Sequence, residues 1–153
     1  MCPPKPNEFD SATSTARVTA PPAAMRAAMA SAEVGDDVLD GDPTVRALEE
    51  RTAEWLGKDG SLFVPSGTMA NQVALGAWTR PGDEIVVQRF AHVVTYESGA
   101  AGHLHGLQCI TLGDSAGELD PELVRGALRP DYIHCPHTAL LCTEQTHNVG
   151  GGR

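Results

Sequence analysis

Three short stretches of this chain hold residue types and spacings that can do chemistry. The first is Ser66-Gly67-Thr68 in "LFVPSGTMANQVALGAW". A strand that ends in Ser-Gly-Thr just before a helix leaves backbone N–H groups unpaired at the helix N-terminus. Those groups and the helix dipole favour a phosphate, Gly67 permits close approach, and the hydroxyls can donate. The same residues also suit an ordinary helix cap by Ser66 or Thr68, and local pattern alone favours the cap. No G-x-x-x-x-G-K-[ST] is present, so this is not a P-loop. The second stretch is "AHVVTYESGA", where His92 follows the apolar run "EIVVQ". Ligands of α/β sheets bind beyond the carboxyl ends of strands, so His92 and the Ser-Gly-Thr turn can face one cleft. Tyr96 and Glu97 come one helical turn later, to line that cleft or cap its rim. The third is "EQTHN", with His147. Histidine titrates near neutrality and suits proton transfer, although a lone histidine is more often structural.

The remaining histidines, His103, His105, His134 and His137, form no familiar zinc pattern with the cysteines. The acidic loop Asp36, Asp37, Asp40, Asp42 lacks the twelve-residue calcium loop with its terminal Glu. No bound metal is expected.

The elements that must position these residues can be read from periodicity. Residues 21–35 place Met25, Ala28, Met29 and Ala32 on one helical face, with a stop at Gly35. "DPTVRALEERTAEWLGKDG" predicts a helix capped by Asp42, with Pro43 in its first turn, an apolar face of Val45, Leu48, Trp55 and Leu56, and an end at Gly57. Strands are predicted at 61–65, 85–88, 107–112 and 138–144. Helices are predicted over 69–78, weakly over 92–104, and from Asp120-Pro121 onward with Val124, Ala127 and Leu128 as the apolar face. Apolar strands alternating with helices imply an α/β fold whose mostly parallel sheet is covered on both faces. The last strand would leave a sheet edge needing a partner.

The chain has 153 residues, 41% of them hydrophobic, enough for one domain or part of a larger one with a core. A net charge of −9 and a pI near 5.0 argue against nucleic acid and anionic membrane surfaces as partners. No apolar run approaches the ~18 residues of a membrane span. "MCPPKPNEFDSATSTAR" has no apolar core of a secretory signal, and residues 1–14 are expected to be a disordered or extended tail. Cys2, Cys109, Cys135 and Cys142 form no C-x-x-C pair, which fits a reduced, cytoplasmic setting.

Taken together, "AEVGDDV", "DPTVRALEERTAEWLGK", "LFVPSGTMANQVAL", "RPGDEI", "AHVVTYESGA", "LDPELVRGALRP" and "EQTHN" resemble the threonine aldolases, within the β-eliminating lyase group of fold-type I pyridoxal-phosphate enzymes. The resemblance runs over about residues 15–153. It implies the N-terminal part of the cofactor-binding large domain of the aspartate aminotransferase fold. It also implies a lyase that splits the Cα–Cβ bond of L-threonine or other β-hydroxy-α-amino acids into glycine and an aldehyde. By resemblance, Gly67 and Thr68 bind the phosphate of pyridoxal 5'-phosphate, and His92 stacks on its ring. Tyr96 holds the family's aromatic position in the substrate pocket, and His147 faces the substrate's β-hydroxyl. His92 and His147 are thus the catalytic candidates, the substrate is a small amino acid, and the intact enzyme is expected to be a homo-oligomer.

Departures from the family pattern lie at Thr15-Ala16-Arg17, Leu39, His137 and Gln145. The family's Schiff-base lysine has no counterpart either. The two lysines are Lys5, in the tail, and Lys58, in a turn before the 61–65 strand. The chain is therefore expected to be truncated and inactive by itself. The alternatives are a non-catalytic homologue that partners a full-length aldolase, or another β-eliminating lyase or amino-acid racemase of the same fold type.

Overall fold

The computed structural model describes residues 20–152. The tail, Lys5, Cys2 and Thr15-Ala16-Arg17 lie outside them. The chain divides into two compact units, Met1–Phe63 and Val64–Arg153.

The described part of the first unit is helical. Helix α1 (Ala23–Ser31) begins after Pro22 without a side-chain cap. Helix α2 (Pro43–Leu56) has the ends its sequence predicts. Asp42 Oδ1 accepts from the N–H groups of Thr44 and Val45 at 2.8 and 2.9 Å, and Oδ2 accepts from Gly35 N–H at 2.9 Å. These bonds lower the Asp42 pKa, that from Gly35 most, because each favours the ionised carboxylate. Gly57 closes the helix at φ 62°, a left-handed conformation that glycine adopts without penalty. The apolar stripes are largely open. Met25, Met29, Leu48, Trp55 and Leu56 are exposed, and only Ala53 of α2 is buried.

The strand predicted at 61–65 does not form. A strand needs a neighbouring ladder, and the polar groups here go elsewhere. Phe63 N–H donates to Glu49 Oε1 at 2.6 Å, and Ser61 Oγ donates to the Glu49 carbonyl at 2.7 Å.

The second unit is α/β. Helix α3 (Gly67–Trp78) leads to strand β1 (Glu84–Gln88), followed by short helices α4 (His92–Thr95) and α5 (Ala100–His105). Strand β2 (Gln108–Leu112), helix α6 (Pro121–Ala127) and strand β3 (Thr138–Cys142) complete it. The helix predicted over 92–104 is broken in two because Ser98 (φ 55°) and Gly99 (φ 70°) turn left-handed. The three strands are parallel in the order β2-β1-β3. Each strand of such a sheet needs a crossover, which the intervening helices supply.

Strand β1 is central and buried along its whole length, with Ile85, Val86 and Val87 at 0% exposure. This explains its unbroken apolar run, since a parallel strand covered on both faces cannot alternate. Leu75 of α3, Ile85, Ala101 of α5 and Leu107 form the core, with Val93, Cys109, Leu140 and Cys142 packed against it. Both ends of β1 are polar and still buried. At the entry, Glu84 accepts from Gln108 Nε2 at 2.8 Å and from the Arg129 guanidinium at 3.3 Å. At the exit, Gln88 donates to the Gly117 carbonyl and accepts from Glu144 N–H. Among the described residues β2 and β3 are the edge strands of this sheet.

Deleting the Ile85 side chain beyond Cβ leaves a void that the central strand cannot close. Ile85→Ala is expected to cost about 2–5 kcal/mol in urea unfolding. Leu104→Ala, at a side chain 61% exposed, should change stability by about 0.5 kcal/mol or less.

Candidate functional site

The C-terminal ends of β1 and β3 and the N-terminus of α3 converge on one cavity of about 710 Å³, built entirely from the second unit. Gly67 and Thr68 border it from α3, His92 from α4, and Glu144, Gln145 and Thr146 from the segment after β3. Ala74, Leu140 and Cys142 supply apolar wall.

Ser66 is the cap of α3. Its backbone is extended, and its Oγ accepts from Met69 N–H at 3.1 Å. The cap and ligand readings of Ser-Gly-Thr therefore do not compete, because different residues carry them. Among the described residues nothing accepts from the N–H groups of Gly67 and Thr68. A Cβ built on Gly67 meets no atom within 4 Å, so the space beside this backbone is open.

A tight turn delivers His92 to the cavity. After β1, Arg89 N–H bonds to the Leu112 carbonyl at 2.7 Å, and Phe90 takes φ 64°. A left-handed conformation is strained for a bulky residue, and here it bends the chain from the sheet into α4. Glu144 then accepts from His92 N–H with one oxygen and from Asn148 N–H, at 3.0 Å, with the other. The His92 ring Nδ1 lies 2.8 Å from Glu97 Oε1.

Glu97 is the buried carboxylate of the site, with no side-chain exposure. Besides His92 it accepts from Asn71 Nδ2 at 2.6 Å and Gln72 Nε2 at 2.7 Å. Burial pushes its pKa up, but the hydrogen bonds from Asn71, Gln72 and His92, together with the His92 charge, outweigh burial and hold it below its ordinary value. Burial raises the thiol pKa values of Cys109 and Cys142, the latter further through Cys109, so neither is poised as a nucleophile: Cys109 packs against the core and Cys142 serves as apolar wall.

The other site candidates are placed differently. The Tyr96 ring stands 5.6 Å from the His92 ring, tilted by 50°, but Tyr96 is 41% exposed and does not border the cavity. His147 does not border it either. It is fully buried, with Nε2 3.1 Å from the Arg89 carbonyl and Nδ1 accepting from Gly150 N–H at 2.9 Å. Its ring lies against Gly117, where a Cβ would come within 2.4 Å of the His147 Cγ. From that segment, Gln145 and Thr146 reach the cavity instead. Among the described residues no three His, Cys, Asp or Glu side chains are placed to hold a metal ion. No helix among them is long and apolar enough to cross a membrane.

Asn71, Gln72, Gln88 and Glu144 were not singled out in the sequence. Their one signal is polarity out of place: Asn-Gln inside an apolar helix, and Gln or Glu at the end of an apolar strand.

The beta-eliminating lyase family model matches residues 14–153. The chain belongs to the beta-eliminating lyase family. Among its relatives, the low specificity L-threonine aldolase of Escherichia coli K12 is 43% identical over 132 residues, covering 86% of this chain and 40% of that protein. The low-specificity L-threonine aldolase 1 of Arabidopsis thaliana is 41% identical over 140 residues, covering 89% and 39%. An alanine racemase of Cochliobolus carbonum is 34% identical over 134 residues, covering 84% and 34%. A solved structure from Exiguobacterium sp. 255-15, described as an aromatic amino acid beta-eliminating lyase/threonine aldolase, superposes with a TM-score of 0.59 at 26% identity, covering 72% of this chain and 30% of that one. The chain thus spans about a third to two fifths of the length of the curated relatives it matches.

In this family member the Glu97 charge has a stability signature. Glu97→Gln turns one acceptor into a donor facing Asn71 and Gln72 and should cost about 1–3 kcal/mol at pH 7. Because the folded-state pKa is lowered, the contribution of the carboxylate is complete above its ordinary value of 4.5 and is lost as pH falls through the folded-state value. The difference between wild type and variant, measured by urea unfolding, should therefore shrink below pH 4.5. A difference constant down to the lowest pH at which the chain folds would contradict this.

Proposed function

We propose that residues 64–152 supply the phosphate and ring-face part of a pyridoxal 5'-phosphate site, in a lyase that cleaves L-threonine or related β-hydroxy-α-amino acids to glycine and an aldehyde. The observation that carries this reading is that one cavity brings together the unpaired N–H groups of Gly67 and Thr68 and the His92 ring. The open space at Gly67 and the free N–H groups at the start of a twelve-residue helix fit a phosphate. Gly67 and Thr68 would hold the phosphate, with the Thr68 hydroxyl as a further donor, and His92 would cover the ring. Bound there, the cofactor supplies an electron sink for the charge that develops at Cα. Ala74, Leu140 and Cys142 would give the bound ring an apolar wall.

On this reading His147 holds the strand-end loops. Its two ring hydrogen bonds tie residues 89 and 150 together and leave Gln145 and Thr146 at the cavity. Tyr96 backs the His92 ring from outside. The amine that carries the cofactor aldehyde is neither Lys5 nor Lys58, the two lysines of this sequence, and comes from elsewhere. We place the protein in the cytoplasm as a homo-oligomer acting on a small amino acid, and read residues 15–153 as the N-terminal part of the cofactor domain. The similarity to an alanine racemase keeps amino-acid racemisation as the second reading.

The test compares ligands on the full chain. Pyridoxal 5'-phosphate should bind at least about tenfold more tightly than pyridoxal, since losing charge-assisted bonds from two N–H groups removes more than 1.4 kcal/mol. Inorganic phosphate should compete. Borohydride reduction and peptide mapping should give no stoichiometric pyridoxyl adduct. Equal affinity for the two ligands, or a stoichiometric adduct on Lys58, would overturn the proposal.

A further inference from the structure

The two buried or half-buried histidines near the strand ends, His92 and His147, are wired in opposite senses. His147 Nδ1 accepts from Gly150 N–H, so its proton must sit on Nε2, which faces the Arg89 carbonyl at 3.1 Å. His92 has the reverse arrangement. Its Nδ1 lies 2.8 Å from Glu97 Oε1. Glu97 also takes the Asn71 amide on Oε1 and the Gln72 amide on Oε2, at 2.6 and 2.7 Å. An amide NH₂ only donates, and a carboxylate that receives only donors is held ionised. An ionised carboxylate cannot donate to His92, so His92 Nδ1 must carry a hydrogen.

The other ring nitrogen, Nε2, has no protein partner among the described residues, and His92 borders the cavity. The charged and ring groups around His92 are Glu97 at Nδ1, Glu144 at its backbone N–H, and the Tyr96 ring at 5.6 Å.

We propose that Glu97 is the positioning residue of this site: it locks His92 in the Nδ1–H form, so that Nε2 faces the cavity occupant as a proton acceptor, with Asn71 and Gln72 holding Glu97 in that role. The functional meaning rests on the cavity being the ligand site proposed above, but the locked form is a property of the ligand-free chain. Gln72 and Asn71 are adjacent on α3, so the helix that begins with the Gly67-Thr68 cradle also sets which ring nitrogen of the histidine across the cavity carries the hydrogen. Both poles of the site then depend on one rigid element.

Long-range ¹H–¹⁵N correlation spectra of the ligand-free full chain, taken above the imidazole titration, test this. His92 should show a protonated Nδ1 and a bare Nε2, and His147 the opposite pattern. In Glu97→Ala, His92 should lose its single form and give averaged ring nitrogens, while an unchanged His147 pattern reports an intact fold. If that variant fails to fold, the wild-type chain still decides through an exchange-protected, downfield His92 Nδ1 proton at neutral pH. A wild-type His92 protonated on Nε2, an exposed and rapidly exchanging Nδ1 proton, or an unaltered His92 form in folded Glu97→Ala would overturn the proposal. None of these readouts involves pyridoxal 5'-phosphate, so a failure of cofactor binding and a failure of the histidine lock are separately visible.

Discussion

A carboxylate removed from water must be surrounded by donors, and the site of this chain is organised around that constraint at Glu97. Leaving such a charge unpaired inside a protein is prohibitive, so it persists only where hydrogen bonds replace its water. Here the replacements come from two directions: Asn71 and Gln72 on α3, and His92 on α4. Satisfying Glu97 therefore fixes the distance between α3 and α4. Gly67 and Thr68, at the start of α3, and His92 border one cavity. A network of this kind specifies one arrangement because a partly satisfied version is worse than none.

The second constraint is the burial of β1. Its three apolar residues take the sheet into the core, while Glu84 and Gln88 pin its ends by hydrogen bonds to neighbouring strands and loops. Gln88 matters for the site, since it holds the segment after β3 at Glu144, and Glu144 in turn holds the N-terminus of α4. A continuous path of hydrogen bonds thus joins the strand ends to His92 and, through Glu97, to α3. The geometry of the cavity follows from that path more than from the shape of its apolar wall.

Much of this was legible in the residues themselves. The caps at Asp42, Pro43 and Gly57, the buried strand at 84–88 and the helix start at Asp120-Pro121 are local signals, and local signals suffice for them. The strand expected at 61–65 was not, because strand formation requires a neighbour that apolar periodicity does not reveal. The site divides in the same way. His92 could be placed at a strand end from order along the chain, whereas the Ser-Gly-Thr turn borders the cavity as a helix start with no strand before it. The partnering of Glu97 with Asn71 and Gln72 spans 26 and 25 residues in sequence, so no local pattern encodes it. His147 shows the converse. Its motif carries the family resemblance, yet Gly117 and Gly150 give it a close-fitting buried niche whose existence only the folded chain discloses.

The central claim is that the start of α3 and the His92 ring form two sides of one ligand site. Amide ¹H–¹⁵N spectra of the chain, recorded during titration with pyridoxal 5'-phosphate, test it most directly. The account predicts that the largest shifts fall on the Gly67 and Thr68 amides and on His92, saturating together. Shifts that saturate elsewhere while these three stay fixed in a folded chain would contradict it.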